Sequence, residues 1–543
     1  MKIPPYKDRI IYQIYPLSFK DSNNDGIGDI NGIISELPYL KSLGIGIIWL
    51  SPIYDSPMHD NGYDIRDYYK INPMFGTMDD FDNLLKKANE LDIKIVMDLV
   101  INHTSNEHKW FKEALSNPNS KYRNYYIFEK GKNGKVPNNW QSAFSGTCWE
   151  KVPNEDDMYY MHLYTKEQPD LNYKNEEVIK EVENILEFYL KKGVYGFRCD
   201  VINQIYKTSL KNGKFRLFGR GKEYYESQPM NHVILKRLQD EVIKKYGAFL
   251  VGETSNVTPE IGNIFLKNCE LDMFFEFEHS FCDENKLLPI LKKKFKPKNL
   301  IKPIFKWQES VPWLGVYLEN HDQRRSVSRY GSDKYYKESA KALSVFLLSL
   351  KGTIFIYEGE EIGMTDYKNY SYEDLNDCAS ISTINTAMRL LHLSRDKVFK
   401  MINETINRDH ARSPMQWDNT NNAGFNNGTK TWLKVNENYK DGINVKDELN
   451  DPNSILHFYK KMISFRNSSE ALKFGEFNRV KSNKNVAKFI RKFNDSTLLI
   501  IVNLSSKNIK DKDVVDKNIL INTESNILNG ELKPYQAIIR EID

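Results

Sequence analysis

The segment Val194-Tyr195-Gly196-Phe197-Arg198-Cys199-Asp200 is a short, mostly apolar run that ends on an acid. An apolar run of this length beside a helical pattern is typical of a buried parallel strand. Just before it, four apolar residues recur at helical spacing: Val178, Val182, Ile185 and Tyr189. Gly193 then provides a residue suited to end that helix. The stretch therefore predicts a helix followed by a strand, with Asp200 at the strand's carboxyl end.

The same alternation of helix and strand recurs along the chain. We predict eight strands, at Ile10–Tyr15, Gly46–Leu50, Lys94–Leu99, Val194–Asp200, Phe249–Glu253, Met273–Phe277, Gly315–Leu318 and Thr353–Tyr357. Amphipathic segments lie between them. About eight strand–helix units predict an α/β fold built on a (β/α)8 TIM barrel, rather than a shorter doubly wound sheet.

Two parts of the chain depart from this alternation. Residues 104–173 are rich in Asn, Tyr, Trp, Gly and Lys with weak periodicity, which predicts an inserted subdomain after strand 3. After residue 468, four short β runs follow one another: Ala487–Phe489, Thr497–Val502, Ile519–Ile521 and Ala537–Ile539. They predict a C-terminal antiparallel β domain. We expect a barrel at 1–103 and 174–467, the subdomain at 104–173 and the β domain at 468–543.

The composition narrows the function classes. The formal charge is only +4, from 77 basic and 73 acidic residues, which does not suggest a nucleic-acid or membrane-surface partner. The five cysteines form no CxxC pair and are odd in number, so a disulfide framework or a zinc site is not expected and a reducing cytoplasm fits. The first residues lack an apolar signal region, and no apolar stretch could span a bilayer.

Three acidic residues, Asp200, Glu253 and Asp322, each lie at or just beyond the end of a predicted strand. Side chains at the carboxyl ends of parallel strands point into one shared crevice. Three carboxyl groups gathered there are costly to ionise together, so their pKa values should differ. One site could then hold a protonated acid and an ionised nucleophile at the same pH. The alternative is three unrelated structural acids, each satisfied by an arginine.

The loop after the first strand has the spacing of a cation-binding loop. Asp21-Ser22-Asn23-Asn24-Asp25-Gly26-Ile27-Gly28-Asp29 offers side-chain oxygens at positions 1, 3, 5 and 9 and a backbone carbonyl at position 7. The twelfth position is Gly32, which excludes an EF-hand. We predict a structural Ca²⁺ bound by Asp21, Asn23, Asp25, Ile27 and Asp29. The alternative is a polar turn that binds no ion.

Several motifs then occur together in a fixed order. Four of them are Asp98-Leu99-Val100-Ile101-Asn102-His103, Gly196-Phe197-Arg198-Cys199-Asp200, Gly252-Glu253 and Asn320-His321-Asp322. Three more are Gln168-Pro169-Asp170-Leu171-Asn172, Gly359-Glu360-Glu361-Ile362-Gly363-Met364 and Ala411-Arg412-Ser413-Pro414-Met415-Gln416-Trp417-Asp418. The set resembles the α-amylase family of glycoside hydrolases (family 13), in its oligo-1,6-glucosidase branch. The resemblance covers nearly the whole chain.

The resemblance implies a role for each matching residue. Asp200 is implied to be the nucleophile, Glu253 the general acid/base and Asp322 the stabiliser of the distorted sugar ring. Arg198 is implied to hold Asp200 ionised, because a nearby guanidinium lowers the pKa of a carboxyl group. Asp98 is implied to support the site rather than to react. The family's mechanism retains anomeric configuration and requires no organic cofactor.

The resemblance also implies a set of substrate-binding residues. Asp64 would pair with Arg412 and hold the non-reducing glucose, and His103 and His321 would bind its hydroxyl groups. Tyr63 and Phe144 would provide stacking surfaces. Val201 directly follows the nucleophile, and family members with Val here tend to prefer α-1,6 bonds. The predicted activity is therefore an exo-acting α-glucosidase that hydrolyses isomaltose and short isomaltooligosaccharides. We expect a monomer.

Alternatives remain open at this stage. A trehalose-6-phosphate hydrolase would need cations for the phosphate, and the loop after strand 4 offers Lys211, Lys214, Arg216, Arg220 and Lys222. An α-glucosidase that prefers α-1,4 bonds or sucrose is a second alternative, and a non-catalytic binding relative is a third. Glu358 stands where the branch usually has Gln, and Arg324 where it usually has Pro.

Overall fold

The computed structural model describes residues 4–285, 290–525 and 528–542. Within these ranges, eight parallel strands form a closed barrel. They are β1 (Ile11–Ile14), β2 (Ile47–Leu50), β3 (Lys94–Leu99), β4 (Gly196–Cys199), β5 (Phe249–Glu253), β6 (Met273–Phe275), β7 (Gly315–Val316) and β8 (Thr353–Tyr357). The predicted barrel is confirmed, and each predicted strand overlaps its observed counterpart.

The strands follow one another around the barrel in chain order. β1 pairs in parallel with β2 on one side and with β8 on the other, which closes the sheet. Alternate residues point inward and form an aromatic-rich core that includes Trp49, Phe249, Phe275 and Phe355. Because this core fills the barrel, a substrate can approach only over the ends of the strands.

A helix follows each strand and packs outside the barrel. The helices are Ile30–Leu43, Met78–Glu90, Glu176–Lys192, Pro229–Glu241, Pro259–Lys267, Pro297–Ser310, Tyr336–Ser349 and Ile455–Ser468. The predicted helix before β4 buries the stripe Val178, Val182, Ile185 and Tyr189 against the core. It ends at Gly193, whose φ of 104° is left-handed and suits a residue without a side chain.

Two additions lie outside the barrel. Between β3 and β4 the chain forms the helix Lys109–Ser116 and a three-stranded antiparallel sheet of Phe128–Lys130, Trp149–Lys151 and Met158–Met161. The C-terminal part is antiparallel, as predicted. Its strands are Glu476–Arg479, Val486–Phe493, Ser496–Asn503, Ile509–Val515, Ile519–Asn522, Asn529–Leu532 and Ala537–Glu541. The exact domain boundaries stay predictions.

A further excursion between β8 and the last barrel helix was not predicted. It forms the helices Cys378–Leu391 and Arg395–Asn403, which pack on each other around a small apolar cluster that includes Ile384 and Val398. We call these residues 378–403 the helical hairpin. Across the described ranges, none of the helices is both long and apolar enough to span a lipid bilayer.

Candidate active site

The barrel brings the three predicted acids to the same end. Asp200 directly follows β4, Glu253 is the last residue of β5, and Asp322 lies in the loop after β7. Asp98 lies near the end of β3, next to β4 in the sheet. Only 7% of Asp200 and 9% of Glu253 is exposed, so both carboxyl groups are largely removed from water. Neighbouring parallel strands thus place acids far apart in sequence around one point.

One guanidinium connects the acids of three strands. Arg198 Nη1 donates to Asp98 Oδ1 at 2.8 Å and to Asp200 Oδ1 at 2.7 Å, and Nη2 donates to Glu253 Oε2 at 2.7 Å. Arg198 is itself buried. A single positive charge therefore serves three carboxyl groups, so it cannot neutralise all of them when they are ionised together.

The pKa values of the two central acids rise because they are buried. Burial raises the pKa of Asp200 to about 7, with Arg198 opposing this rise and Asp98 adding to it. Burial raises the pKa of Glu253 to about 8, again against Arg198. Arg198 lowers the pKa of Asp200, as expected. Burial raises this pKa by more than Arg198 lowers it. Since the pKa of Glu253 is the higher one, Asp200 loses its proton first.

Val201 holds Glu253 through its backbone. The Val201 N–H donates to Glu253 Oε2 at 3.0 Å, and this oxygen also accepts the hydrogen bond from Arg198. Val201 has φ 37° and ψ 39°, a left-handed conformation that is strained for a β-branched residue. The strained turn points the Val201 amide at the acid.

Asp322 lies in a more strongly positive environment than the other two acids. Its Oδ1 accepts from Arg412 Nη2 at 2.8 Å and from Arg408 Nη1 at 3.2 Å. Burial acts to raise the pKa of Asp322, but His321, Arg408 and Arg412 outweigh it and hold the pKa well below its usual range. Asp322 is therefore ionised at neutral and mildly acidic pH.

The predicted pair of Asp64 and Arg412 is wrong. Asp64 is fully buried and accepts hydrogen bonds from Ser56 Oγ and from the backbone N–H groups of His59 and Asp60. Arg412 instead binds Asp322. The acid–arginine pair beside the site joins Asp60 Oδ1 to Arg408 Nη2 at 3.1 Å. Asp60 precedes Asp64 by four residues, and Arg408 likewise precedes Arg412 by four. Asp64 accepts a hydrogen bond from the Asp60 N–H and so orients the loop that carries Asp60.

Tyr63 and His321 form one hydrogen-bonded unit with Asp98. Tyr63 Oη lies 2.8 Å from His321 Nε2 and donates to Asp98 Oδ2 at 3.1 Å. Gln13 Nε2 donates to His321 Nδ1 at 2.8 Å, and the planes of the Tyr63 and His321 rings differ by 4°. Burial lowers the pKa of His321 to about 3, so its ring is neutral. These hydrogen bonds fix the orientation of the Tyr63 and His321 rings in the site.

The other predicted binding residues lie at the same end of the barrel. His103 Nε2 lies 3.0 Å from the Tyr63 carbonyl oxygen and 3.1 Å from Gln168 Nε2, and burial lowers its pKa. The Phe144 ring lies 5.2 Å from the Arg408 guanidinium and contacts Tyr164. Phe144 thus comes from the inserted segment and reaches the Asp60–Arg408 pair.

In the predicted cation loop, Asp21 and Asp29 are buried, whereas Asn23 and Asp25 are exposed. Asp21 Oδ1 accepts from the N–H groups of Asn23 and Asn24, and its Oδ2 accepts from Gly26 N and Asn426 Nδ2. No cluster of three or more acidic, histidine or cysteine side chains among the described residues has the geometry of a metal site. The loop supplies hard oxygen donors of the kind Ca²⁺ takes, but backbone donors already occupy Asp21, so Ca²⁺ binding stays a prediction.

Comparison with known proteins identifies the family. The model of the α-amylase catalytic domain matches residues 13–475. The chain belongs to the α-amylase family. It is therefore a glycoside hydrolase.

Known relatives align with this α-amylase family member over nearly its full length. It is 42% identical to an oligo-1,6-glucosidase of Parageobacillus thermoglucosidasius, with 99% of each chain covered. It is 39% identical to a trehalose-6-phosphate hydrolase of Bacillus subtilis, over 99% of this chain and 98% of that one. The solved trehalose-6-phosphate hydrolase of Bacillus licheniformis superposes with a TM-score of 0.91 at 38% identity, covering 99% of this chain and 100% of that chain.

Proposed function

We propose that this enzyme is a retaining, exo-acting α-glucosidase that removes terminal α-1,6-linked glucose from isomaltose and short isomaltooligosaccharides. The observation that carries this proposal is the Arg198 fork, which holds Asp200 and Glu253 side by side at the mouth of the barrel. Glu253 keeps its proton at a pH at which Asp200 has begun to lose its own. These are the protonation states that an acid and a nucleophile need.

The two carboxyl groups are close enough to favour retention. Asp200 and Glu253 share Arg198, whose Nη1 lies 2.7 Å from Asp200 Oδ1 and whose Nη2 lies 2.7 Å from Glu253 Oε2. Inverting enzymes keep their two carboxyl groups about 6.5–9.5 Å apart to admit a water molecule, whereas retaining enzymes keep them about 5–5.5 Å apart. Two carboxyl groups held by the same guanidinium fit the shorter, retaining separation better than the longer one.

The reaction then has two steps. Glu253 donates its proton to the glycosidic oxygen while Asp200 attacks the anomeric carbon, which breaks the glycosidic bond and forms a glucosyl ester. Glu253, now a carboxylate, takes a proton from water, and that water cleaves the ester. Asp322, which stays ionised, is placed to stabilise positive charge on the sugar ring in both transition states.

The Asp60–Arg408 pair supports exo action. The pair lies next to Asp322 and Phe144, and its two charged groups come from separate loops that meet over the site. A charged pair at this place offers the hydroxyl groups of a terminal sugar charged hydrogen-bond partners. We propose that Asp60, Arg408, Phe144 and Tyr63 bind the non-reducing glucose.

The loop after β4 favours a neutral substrate over a phosphorylated one. Arg216 is paired with Glu223, and Lys222 lies 3.8 Å from Glu226. Arg220 donates to the carbonyl oxygen of Arg216. Since acids of the same loop take up two of its cations, the loop offers a phosphate less charge than its sequence suggests. Val201 beside the nucleophile adds the preference for α-1,6 bonds.

A substrate panel tests the proposal. Purified enzyme is given isomaltose, maltose, sucrose, panose and trehalose 6-phosphate, and released glucose is measured. We expect the highest kcat/KM on isomaltose. A higher kcat/KM on trehalose 6-phosphate would mean that the phosphorylated sugar is the substrate. A higher kcat/KM on maltose or sucrose would correct the proposed linkage.

We further propose a structural Ca²⁺ in the loop 21–29 and a cytoplasmic location for the enzyme.

A further inference from the structure

Arg408 is held by a third carboxylate in addition to Asp60 and Asp322. Its Nε donates to Asp377 Oδ1 at 2.8 Å, and its Nη2 lies 2.7 Å from the same oxygen. Asp377 is fully buried, and Arg408 lies between the three acids with each of its nitrogens engaged. The shortest of these contacts is the one to Asp377.

Asp377 directly precedes the helical hairpin and is not part of the barrel. It is the N-cap residue of the helix Cys378–Leu391, where its side chain accepts from the Ala379 N–H and from Ser380 Oγ. It also accepts from the Arg408 backbone N–H. One carboxylate therefore joins the start of the hairpin to both the backbone and the side chain of Arg408.

Two more contacts from the first turns of the same helix reach the site. Cys378 Sγ donates to Asp60 Oδ1 at 3.1 Å, and Ser382 Oγ donates to the Phe144 carbonyl oxygen at 2.6 Å. The three contacts touch separate parts of the proposed glucose wall, which are Arg408, Asp60 and Phe144. The start of the hairpin thus packs on that wall from behind.

We propose that Asp377 is a positioning residue that fixes the Arg408 guanidinium for recognition of the terminal glucose. By occupying Nε and one side of Nη2, Asp377 leaves Nη1 directed at Asp322 and Nη2 at Asp60. A long arginine side chain loses rotamer freedom when it is fixed before the substrate arrives, so less affinity is lost on binding. The inference rests on the proposed exo-glucosidase function, since it assigns Arg408 to the terminal sugar.

The effect should appear in binding more than in chemistry. Arg408 and Asp60 would contact the glucose in the ground state and in the transition state alike, and an interaction of this kind affects KM rather than kcat. Asp322 keeps its direct partner Arg412 when Asp377 is changed. The carboxyl groups of Asp200 and Glu253 have no hydrogen bond to Asp377 or Arg408.

The test uses Asp377→Asn and Asp377→Ser. Asn and Ser both cap helices well, so the hairpin should still fold, but Asn lacks the charge and Ser also lacks the reach to Arg408. We expect KM for isomaltose to rise at least about tenfold in both, with kcat within about threefold and the shape of the pH profile unchanged. The inhibition constant of glucose should rise by the same factor as KM. Asp377→Glu should recover part of the loss.

Asp374→Asn is the matched control. Asp374 lies three residues earlier, pairs with the exposed Lys434 and makes no contact with Arg408, so this variant should match the wild type. A KM within twofold of the wild type in Asp377→Ser would overturn the inference, as would a fall in kcat without a rise in KM. A loss of thermal stability that accounts for the lost activity would also overturn it.

The outcome is separable from that of the proposed function. If the wild type hydrolyses an aryl α-glucoside but not isomaltose, the proposed substrate is wrong, and the same comparison on the aryl glucoside still tests Asp377. Calorimetric measurement of glucose binding gives a second readout that needs no turnover. Equal glucose affinity in the wild type and Asp377→Ser would contradict the role of Asp377 in either case.

Discussion

The backbone N–H of Val201 donates to Glu253 Oε2 across 3.0 Å, so the residue after the nucleophile also orients the acid. Its left-handed backbone makes this contact possible, and in the proposed function its side chain selects the linkage. Specificity and acid placement are thus combined in one residue. A substitution that keeps the β-branched shape should change the linkage specificity without disturbing the hydrogen bond that places Glu253.

Val201→Thr should shift linkage preference toward maltose. Thr has nearly the same shape as Val, so the turn and the hydrogen bond to Glu253 should remain, while a hydroxyl replaces a methyl group beside the leaving sugar. We expect the ratio of kcat/KM for isomaltose to that for maltose to fall about tenfold, within the range that one group can contribute. Val201→Ala, which adds no hydroxyl, should not improve maltose hydrolysis. An unchanged ratio in Val201→Thr would show that linkage is selected elsewhere.

The pH dependence of kcat/KM should be narrow, with its maximum between about 7 and 8. Activity requires Asp200 without its proton, whose pKa is raised by burial to about 7, and Glu253 with its proton, whose pKa is raised to about 8. Activity should therefore fall below pH 7 as Asp200 becomes protonated and above pH 8 as Glu253 loses its proton.

Glu253→Gln tests the assignment of the alkaline limb. With an aryl α-glucoside whose leaving group needs no proton, kcat/KM reports only formation of the glucosyl ester. We expect this variant to lose the fall above pH 8 while it keeps the fall below pH 7. If the alkaline limb persists, a group other than Glu253 causes it.

Glu358→Gln should stabilise the protein at alkaline pH. Glu358 is fully buried, and its Oε1 has no hydrogen-bond partner among the described residues. Burial raises its pKa well above 4.5, against Arg325 and together with Glu361. An acid with a raised pKa holds a proton in the folded state that the unfolded chain has released, so its contribution to stability falls as pH rises above about 4.5.

The amide cannot ionise and can still accept the hydrogen bond from the Tyr15 N–H. We expect Glu358→Gln to raise the free energy of unfolding by about 1–3 kcal/mol at pH 8 and to change it little at pH 5, as followed by thermal unfolding. Glu241→Gln, on the exposed surface beside Lys245, serves as the control and should have little effect at either pH. A lower Tm for Glu358→Gln at pH 8 would mean that ionised Glu358 is stabilising.

Calcium should raise the thermal stability of the wild type through the loop 21–29. Asp25→Asn is the informative variant, because Asn can still accept the hydrogen bond that Asp25 Oδ1 receives from the Ile27 N–H but carries no charge for a cation. We expect a chelator to lower Tm in the wild type and Ca²⁺ to restore it, with a smaller response in Asp25→Asn. Identical Tm values with chelator and with Ca²⁺ in the wild type would show that the loop is a polar turn that binds no Ca²⁺.

The sequence predicted most of the barrel because its strands are buried on both faces. Lys94–Leu99, Phe249–Glu253 and Thr353–Tyr357 have the predicted bounds, since an apolar run that ends in polar residues has clear limits. In the C-terminal sheet, Glu476–Arg479 and Ile509–Val515 were missed because exposed polar residues interrupt them. The hairpin was missed for a similar reason, because its helices face mostly outward.

The site was predictable wherever one strand end carries one acid. It was not predictable where equivalent residues repeat along a single element. Asp60 and Asp64 lie on the same loop, and Arg408 and Arg412 are separated by one turn of a short helix. The two acids are four residues apart, and so are the two arginines. The sequence therefore cannot decide which acid pairs with which arginine. Only the buried hydrogen bonds of Asp64 exclude it from the pair.

The central claim is that Asp200 forms a covalent bond to glucose while Glu253 supplies the proton. The most direct measurement is to trap the intermediate with a fluorinated α-glucosyl donor whose ester hydrolyses slowly, and to locate the added mass by peptide mapping. The account predicts one added sugar on the peptide that contains Asp200 and none in Asp200→Asn. A sugar attached to another carboxyl group, or β-glucose as the first product without any trapped ester, would contradict it.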